Sequence, residues 1–288
     1  MGDRSWRIAL ALVGVVFLSI TGCGSIRGGA PSPGGPASAG GIVQHGPPGQ
    51  WKAIFDSEFE GTSLDETRWT TCSPQLRQNP CSGWGSELET YRPENVTVSG
   101  GELHLTARRA GDGSYSSGMV STGALTGGPR PGYRPFSFQY GYYEVALRPP
   151  PGQGLWTAAW AFGTDLIPPF ELDDVEVFGS DPHTAMVTSH YPGANRDSPG
   201  QLSQHLTGPD YSAGMHTFGV DWEPDHVTWY VDGVAAPQSI TNRADIPAKP
   251  MFLMLDLAVG GDFPGPPSAQ TRFPASLDVD YVRVFKPA

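Results

Sequence analysis

Three of the four acidic residues in the segment FELDDVEVFG, residues 170–179, have a spacing that could serve catalysis: Glu171, Asp173 and Glu176. The apolar residues around them favour a β-strand, in which charged side chains are costly to bury. Strand side chains alternate between the two faces, so Glu171 and Asp173 share one face, whereas strict alternation would send Glu176 to the other. One β-bulge between Asp173 and Glu176 would change this parity and return all three carboxylates to a shared face.

Carboxylates in such a row predict acid–base and nucleophilic chemistry. Because like charges repel, at least one of the three groups should keep its proton near neutral pH. Hydrolysis of a glycosidic bond needs this combination, since one ionised carboxylate attacks the anomeric carbon and one protonated carboxyl group protonates the leaving oxygen. A calcium site and a solvated edge strand are the alternatives that the residues leave open, although calcium loops are richer in Gly and Asn.

The spacing along the strand bears on the stereochemistry of such a reaction. With one bulge, the backbones of Glu171 and Glu176 would lie about four strand steps apart, roughly 13 Å. Two side chains that lean together could close this distance to the ~5–5.5 Å of retaining glycosidases, while the ~6.5–9.5 Å of inverting glycosidases stays open.

The bulk composition limits the classes of partner. The chain has 288 residues, enough for one large all-β domain or two ordinary domains, and its 38 Gly and 29 Pro favour many turns. Its formal net charge of −11 argues against nucleic acid and other polyanions as partners. Neutral polymers remain open as substrates.

The N-terminus has the pattern of an export signal. Arg4 and Arg7 precede an apolar run at residues 8–20, which is too short to span a membrane as a mature helix. The run ends in Ile-Thr-Gly-Cys and resembles a bacterial lipobox, which implies removal of residues 1–22 as a signal peptide and lipid attachment to Cys23. We therefore expect an extracytoplasmic protein anchored to the cell membrane by lipid. An ordinary signal peptide with an incidental Cys23 is the alternative.

A tether and a single domain are predicted beyond this site. Residues 23–50 consist mainly of Gly, Pro, Ser and Ala after the first cysteine, and such a segment buries too little apolar surface to fold. Aromatic and β-branched residues rise from Trp51 onward without a second change in composition, which predicts one domain at residues 51–288. Cys72 and Cys81 could form a disulfide in an oxidising compartment, with two free thiols as the alternative.

The domain is predicted to be all-β. The segment NVTVSGGELHLTA, residues 95–107, has two alternating runs around a Gly-Gly pair, which is the pattern of a β-hairpin. HVTWYVDGV at residues 226–234 alternates in the same way. Because no long stretch has an apolar period of 3.6 residues, the many short strands favour a sandwich of two antiparallel sheets.

The acidic segment resembles a known family signature. ELDDVE, residues 171–176, resembles the E-x-D-x-x-E motif of glycoside hydrolase family 16 in its laminarinase-like form. Further segments resemble the family in the same order along the chain, namely FDSEFEGTSLDETRW, GWGSELETY, SFQYGYYEV, GLWTAAWAFG, HYPG, HTFGVDWEPDHVTWYVDGV, LDLAVGGDFPG and VDYVRVF. The resemblance covers about residues 55–285, and the joint order of the segments makes it more specific than any one motif.

This resemblance implies a fold and an activity. The fold would be a β-jelly-roll sandwich with an open substrate cleft on its concave sheet. The activity would be endo-acting, retaining hydrolysis of a β-glucan, most readily a β-1,3-glucan such as laminarin. Glu171 would be the nucleophile and Glu176 the general acid/base, with Asp173 hydrogen-bonded near the nucleophile. Catalysis would need no cofactor, the partner would be a polysaccharide, and we expect a monomer.

Two alternatives to this activity stay open at the level of sequence. Within the same class, the protein could be a β-galactan hydrolase or a cell-surface transglycosylase of the same family. From another class, it could be a lipid-anchored glycan-binding protein without turnover.

Four residues are predicted to bind sugar, because the C–H faces of pyranose rings pack on aromatic rings. Trp156 and Trp160 are four apart and would share a face of a regular strand, with two core tryptophans as the alternative. Trp84, flanked by two glycines, falls in a predicted loop. His190 matches a cleft histidine of the family, with a histidine on a surface loop as the alternative.

The resemblance also implies a structural calcium ion away from the catalytic residues. The matching ligands are the carboxylates of Glu58 and Asp280 and the backbone carbonyl of Gly101. Oxygen ligands of this kind suit a hard cation. An ordinary pair of surface acids is the alternative.

The sequence departs from the laminarinase-like pattern at several positions, which leaves the identity of the glycan open. Tyr142 and Ala146 stand where these proteins usually have arginine. Asp256 and Asp262 stand where asparagine is common, and Asp174 replaces an apolar residue inside the signature. None of these departures removes a predicted catalytic carboxylate.

Overall fold

The computed structural model describes residues 42, 44–71, 81–124, 130–166, 170–195 and 198–288. Residues 1–22, Cys23 and Cys72 fall outside these ranges, so the signal peptide, the lipidation and the disulfide between Cys72 and Cys81 stay predictions. Within the ranges, no helix has the length and apolar character needed to cross a membrane.

Short strands account for the regular structure. In chain order they are β1 Trp51–Ser57, β2 Glu89–Tyr91, β3 Val96–Ser99, β4 Glu102–Arg109, β5 Tyr115–Ser117, β6 Met119–Ser121, β7 Gly141–Arg148, β8 Leu155–Gly163, β9 Glu171–Phe178, β10 Thr184–Asn195, β11 Ser198–Thr207, β12 His216–Glu223, β13 His226–Val231, β14 Val234–Ile240, β15 Met251–Val259 and β16 Ala275–Pro287. Three 3₁₀ helices of one turn each span Pro93–Asn95, Tyr211–Ala213 and Arg243–Asp245. The described ranges contain no α-helix.

The strands form two sheets. The ten-stranded sheet has the order β14-β13-β12-β7-β16-β4-β5-β2, with β1 added to β16 and β3 added to β4. The six-stranded sheet has the order β11-β10-β9-β8-β15-β6. All strand pairs in the described ranges are antiparallel apart from the short pair of β2 with β5. The predicted all-β sandwich is therefore confirmed.

The main core lies between the two sheets, and indoles occupy much of it. Trp69, Trp222 and Trp229 are fully buried. A buried indole N–H needs a hydrogen-bond acceptor. The acceptors are the Ser57 hydroxyl at 3.0 Å, the Pro247 carbonyl at 2.9 Å and the Asp173 carbonyl at 2.9 Å, respectively. The last of these bonds joins the ten-stranded sheet to the backbone of β9.

A second apolar cluster covers the outer face of the six-stranded sheet. Its buried members are Tyr91, Met119, Ala158, Trp160, Phe162, Phe252 and Met254. Because this cluster covers one face and the main core covers the other, β15 is buried along its whole length. The acids of β9 thus lie beside an apolar surface. Their carboxyl groups have less contact with water there, which raises their pKa values.

The compact unit begins at Ile42, earlier than the boundary at residue 51 predicted from composition. The backbone N–H of His45 donates to a carboxylate oxygen of Glu144 at 2.8 Å, and the His45 ring contacts Tyr281. The indole N–H of Trp51 donates to the carbonyl of Pro47 at 3.1 Å. Glu144 is fully buried, and residues 44–47 supply part of its cover. We call residues 44–50 the N-terminal segment.

The predicted β-bulge in β9 is confirmed. Against β8, Glu176 pairs with Ala158, but Asp173 pairs with Trp160, so the register shifts by one residue between them. The pairing of β9 with β10 shifts at the same place. Asp174 is the residue that has no partner on β8, and its insertion puts Glu176 on the face of Asp173.

The inserted residue is itself an unusual one to bury. Asp174 is 1% exposed, and neither of its carboxylate oxygens has a hydrogen-bond partner in the described part of the chain. Burial and the charges of Glu144 and Asp173 raise the pKa of Asp174 well above its ordinary value. The neighbouring Tyr143 hydroxyl is also buried without a partner there. Asp174 therefore costs folding free energy.

We predict that Asp174→Leu stabilises the domain by about 1–3 kcal/mol, because it removes a buried polar group without a partner. A raised pKa in the folded state lowers stability as pH rises above the ordinary value of 3.8, so the gain should be larger at neutral pH than near pH 3.8. Urea unfolding at both pH values measures this. Asp174→Asn is the control, with a smaller gain. A Leu variant less stable at neutral pH than the wild type would contradict the argument.

Candidate active site

The three acids of β9 lie on the outer face of the six-stranded sheet, in consecutive cross-strand rows. From one end to the other, the rows across β8, β9 and β10 read Phe162–Glu171–His190, Trp160–Asp173–Thr188 and Ala158–Glu176–Met186. Because β8 runs without a break in register beside β15, its alternate residues share one face. The bulge therefore spaces the glutamates four residues of β8 apart, as the sequence predicted.

Glu171 and Asp173 form a hydrogen-bonded pair beside a histidine. The Nε2 atom of His190 lies 3.3 Å from an oxygen of Asp173 and 3.8 Å from an oxygen of Glu171. Burial and the charge of Asp173 raise the pKa of Glu171 to about 8, and His190 opposes this rise. Burial also raises the pKa of Asp173 to about 7. The imidazole therefore favours a negative charge at this end of the row.

Glu176 has a different environment at the other end of the row. Burial and the charges of Asp173 and Glu171 raise its pKa well above the ordinary value. The indole N–H of Trp156 donates to a Glu176 carboxyl oxygen at 3.1 Å. His190 lies beside the other two acids, so Glu176 is the carboxyl group that keeps its proton longest as pH rises. This difference in pKa between the two glutamates suits a nucleophile at Glu171 and a general acid at Glu176.

The alternatives left open by the sequence fare differently. β9 lies between β8 and β10, and Asp173 is 4% exposed, so the acids are not on a solvated edge strand. Ligand atoms of Glu171, Asp173 and His190 lie within 4.8 Å of one another, a spacing that a metal ion would also accept. Geometry alone thus leaves catalysis and cation binding as uses of the row.

Trp156, Trp160 and His190 lie next to these acids, and Trp84 contacts Trp160. Trp156 and Trp160 share the outer face of β8, and the half-buried Trp84 packs edge-on against Trp160 with ring centroids 5.4 Å apart. Trp156 has two further aromatic neighbours that the sequence analysis missed, Phe178 and the exposed Phe263. The roles of these residues in binding sugar stay predictions.

A second group of acids in the cleft was not predicted. The carboxylate of Asp256 accepts hydrogen bonds from the indole N–H of Trp160 at 2.8 Å and from the Tyr91 hydroxyl at 3.2 Å. A carboxylate oxygen of Glu89 accepts from the backbone N–H of Val259 at 2.8 Å. The sequence signals of this group are the alternation of acids in ELETY, residues 87–91, and the aspartate at 256 where asparagine is common, but neither predicts that they meet, because they lie far apart in the chain.

The predicted calcium ligands are only partly suited to a cation. The charge of Glu58 contributes to the raised pKa of Asp280, so the two carboxylates lie close together. However, both oxygens of Glu58 accept hydrogen bonds from the guanidinium of Arg283, at 2.7 and 2.8 Å. A calcium ion would have to share this carboxylate with Arg283. The calcium site stays a prediction, which the effect of EDTA on thermal unfolding would check.

Comparison with known proteins identifies the family of the chain. The sequence profile described as "Glycosyl hydrolases family 16" matches residues 88–283, which include the three acids and most of both sheets. The chain belongs to glycosyl hydrolases family 16. The name of this family states hydrolysis of glycosidic bonds, and the catalytic roles of Glu171, Asp173 and Glu176 stay predictions.

Individual members of family 16 show the same likeness. The chain is 31% identical over 270 residues to glucan endo-1,3-beta-glucosidase A1 of Niallia circulans, which covers 81% of this chain and 37% of that protein. It is 30% identical over 271 residues to the glucan endo-1,3-beta-glucosidase of Cryptopygus antarcticus, which covers 82% and 92%. The chain spans only 37% to 44% of three of the curated relatives that it matches.

A solved structure of the family matches the fold as well. The catalytic domain of an endo-1,3-beta-glucanase (laminarinase) from Thermotoga petrophila superimposes with a TM-score of 0.69 at 30% identity. The match covers 83% of this chain and 99% of that domain. This likeness confirms the jelly-roll sandwich predicted for the chain.

We predict that Trp229→Phe lowers both stability and turnover. The variant leaves the Asp173 carbonyl at the bulge without its buried donor, which should cost about 1–3 kcal/mol of unfolding free energy. A shift of the acid row by a fraction of an ångström should also lower kcat about 10- to 100-fold. Urea unfolding and steady-state kinetics on a β-glucan measure the two effects.

Trp222→Phe is the matched control for this prediction. Its indole is equally buried and also donates to a backbone carbonyl, that of Pro247, away from β9. It should lose similar stability and keep kcat within about twofold of the wild type. Equal losses of kcat in the two variants would show that Trp229 acts only through general stability.

Proposed function

We propose that this protein is a retaining, endo-acting glycoside hydrolase that cleaves β-1,3-glucan. One observation supports this above all others, which is the row of Glu171, Asp173 and Glu176 on one face of a bulged strand. The likeness to endo-1,3-beta-glucanases supports β-1,3-glucan as the substrate. Because three curated relatives are far longer than this chain, the activity of the whole protein is part of the proposal.

The proposed reaction is a double displacement. In the first step, the ionised Glu171 attacks the anomeric carbon while Glu176 gives its proton to the departing glycosidic oxygen, which leaves a glycosyl ester on Glu171. In the second step, Glu176 takes a proton from a water molecule, whose oxygen attacks the same carbon and releases Glu171. Asp173 is hydrogen-bonded to Glu171 and lies beside His190. It would keep the carboxylate of Glu171 in position in both steps.

The surroundings of the row supply a place for the sugar ring. Ala158 is the row neighbour of Glu176 on β8, and Trp156 and Trp160 lie two residues to either side of it on the same strand. Trp84 and Trp156 are half-buried and Phe263 is exposed, so these three rings keep accessible surface near the row, whereas Trp160 is buried. Such platforms suit the C–H faces of pyranose rings.

The alternatives from sequence have less support. The compared relatives are glucanases by name, which does not favour a β-galactan hydrolase or a transglycosylase. A glycan-binding protein without turnover would have no need of two glutamates with distinct proton affinities. In this chain both glutamates are present, and their environments differ in the direction that hydrolysis requires.

The experiment that tests the function is a substrate panel. Residues 42–288 would be incubated with laminarin, mixed-linkage glucan, agarose and arabinogalactan, and the products would be sized by mass spectrometry. We expect short β-1,3-linked oligosaccharides from laminarin. Cleavage of a galactan alone would overturn the substrate, and the absence of products from every polymer would overturn the hydrolase.

Two isosteric variants test the roles of the glutamates. Glu171→Gln should lose nearly all activity on every substrate, because no nucleophile remains. Glu176→Gln should lose about 10²–10⁴-fold on laminarin, but much less on an aryl β-glycoside whose leaving group needs no proton. Kinetics on both substrates measure this. An equal loss by both variants on the aryl glycoside would contradict the assignment.

We also propose that the enzyme acts outside the cytoplasm, held to the membrane by lipid on Cys23. The support is the sequence pattern at residues 8–23, and the proposal includes a monomeric enzyme with a disulfide between Cys72 and Cys81. Cys23→Ser should move the full chain from the membrane fraction to the soluble fraction and abolish labelling by radioactive palmitate. Membrane retention and labelling in the variant would contradict this.

A further inference from the structure

Glu87 holds the loop that carries Trp84. We call residues 83–88, which precede β2, the Trp84 loop. The Oε2 atom of Glu87 accepts a hydrogen bond from the backbone N–H of Trp84 at 2.6 Å, and the backbone N–H of Glu87 donates to the Trp84 carbonyl at 3.0 Å. Glu87 therefore binds both backbone polar groups of Trp84.

The Trp84 loop is joined to the segment that follows β15. Glu87 forms an isolated β-bridge with Gly260, and the hydroxyl of Ser86 donates to a carboxylate oxygen of Asp262 at 2.6 Å. The next residue of this segment is the exposed Phe263. Two of the accessible aromatic rings near the acid row thus belong to segments that are bonded to each other.

The carboxyl groups of Glu87 and Glu89 meet over Gly83. A Cβ atom on Gly83 would overlap an oxygen of each carboxyl group, so only glycine leaves room for the pair. One oxygen of Glu89 accepts from the backbone N–H of Val259 at 2.8 Å, but the other is buried without an N–H or O–H donor in the described part of the chain. Because an ionised carboxylate can only accept, a hydrogen bond between the two groups needs one proton.

This proton lies on Glu87. Burial and the charges of Glu89 and Asp256 raise the pKa of Glu87 to about 10, and its carboxyl group is hydrogen-bonded to Glu89. Because Oε2 of Glu87 already accepts from Trp84, Oε1 is the atom that donates. A chain of hydrogen bonds therefore runs from the backbone of Trp84 through both carboxyl groups to the backbone of Val259 at the end of β15.

The other titratable groups that face this pair lie on β15, on β2 and in the segment after β15. Burial raises the pKa of Asp256 to about 7, and burial and the charge of Asp256 raise that of Tyr91 well above its ordinary value. The exposed Asp262 contacts the Trp84 loop through Ser86. A change of the loop near pH 10 would therefore report Glu87.

We propose that Glu87 is a positioning residue for sugar binding: hydrogen-bonded to Glu89, it holds the half-buried Trp84 ring beside the acid row as a platform for a pyranose ring. The proposal rests on the proposed function. The Trp84 ring keeps accessible surface and packs edge-on against Trp160, the row neighbour of Asp173 on β8. Such a pair of carboxyl groups holds only while it keeps a proton, so the position of Trp84 should change at alkaline pH.

The experiment separates the hydrogen bonds of Glu87 from its proton. Glu87→Gln keeps the bonds at every pH, because its amide oxygen accepts from Trp84 and its amide N–H donates to Glu89. Glu87→Leu removes both bonds. KM and kcat are measured on laminarin. The position of the Trp84 ring is followed by ¹⁹F NMR of protein labelled with 5-fluorotryptophan, with the signal assigned from its absence in Trp84→Phe, from neutral pH to beyond the pKa of Glu87.

We expect Glu87→Leu to displace the Trp84 signal and to raise KM about tenfold with kcat within about threefold of the wild type, because a binding platform is lost and the acids stay in place. Glu87→Gln should keep the KM and the Trp84 signal of the wild type. In the wild type the signal should shift with a midpoint near pH 10, and this alkaline step should be absent in Glu87→Gln.

Two further variants complete the design. The double variant Glu87→Leu/Trp84→Ala should have the KM of Trp84→Ala alone, because Glu87 acts through that ring. Glu144→Gln is the matched control, since Glu144 is also buried and also accepts from a backbone N–H, that of His45 on the far side of the sandwich. It should leave KM and the Trp84 signal unchanged.

A Trp84 signal that stays in place in Glu87→Leu would overturn the proposal, as would a KM of the double variant far above that of Trp84→Ala. An unchanged KM in Trp84→Ala would also overturn it, although cleavage of laminarin would leave the proposed function intact. If the wild type cleaves no glucan, the proposed function fails. Titration of the ¹⁹F signal with a β-1,3-linked gluco-oligosaccharide then replaces KM, and an unmoved Trp84 signal would overturn the proposal. If Glu87→Leu does not fold, persistence of the alkaline step in Glu87→Gln would overturn it.

Discussion

The chemistry proposed for this domain depends on one extra residue in β9. Without Asp174, Glu176 would point into the core between the sheets, and no face of the molecule would carry two glutamates in reach of one sugar. With it, the acids occupy successive rows of an interior strand. The hydrogen bond from the Trp229 indole to the Asp173 carbonyl ties the β-bulge to the ten-stranded sheet. The sandwich thus supports its active site through the backbone as well as through packing.

An interior position also explains why the acids can divide their roles. In water, two glutamates would titrate together near their ordinary values. Here, burial raises the pKa values of both, and the nearby histidine favours a charge on Glu171 more than on Glu176. The arrangement costs folding free energy, since carboxyl groups are taken out of water. The large apolar core between the sheets offsets this cost.

Much of the site could be predicted because it is local in the chain. Parity along one strand was enough to predict the bulge, and a spacing of four placed Trp156 and Trp160 on one face. The contacts of Asp256 could not be predicted, because Tyr91 and Asp256 are 165 positions apart and meet only after both sheets form. Composition also could not predict that residues 44–50 contact the domain, because the backbone N–H of His45 meets the buried Glu144 only in the folded chain.

The position of the N-terminal segment determines which side of the domain faces a support when the chain is attached through its N-terminus. Glu144, which it covers, lies on the face of the ten-stranded sheet that points away from the core, because its neighbours Tyr143 and Val145 point inward. The acids of β9 lie on the opposite side of the sandwich. A resin, a fusion partner or a lipid joined ahead of residue 44 would therefore be attached on the side of the sandwich opposite the acids of β9. A long insoluble polymer could then reach the exposed face without passing the attachment point.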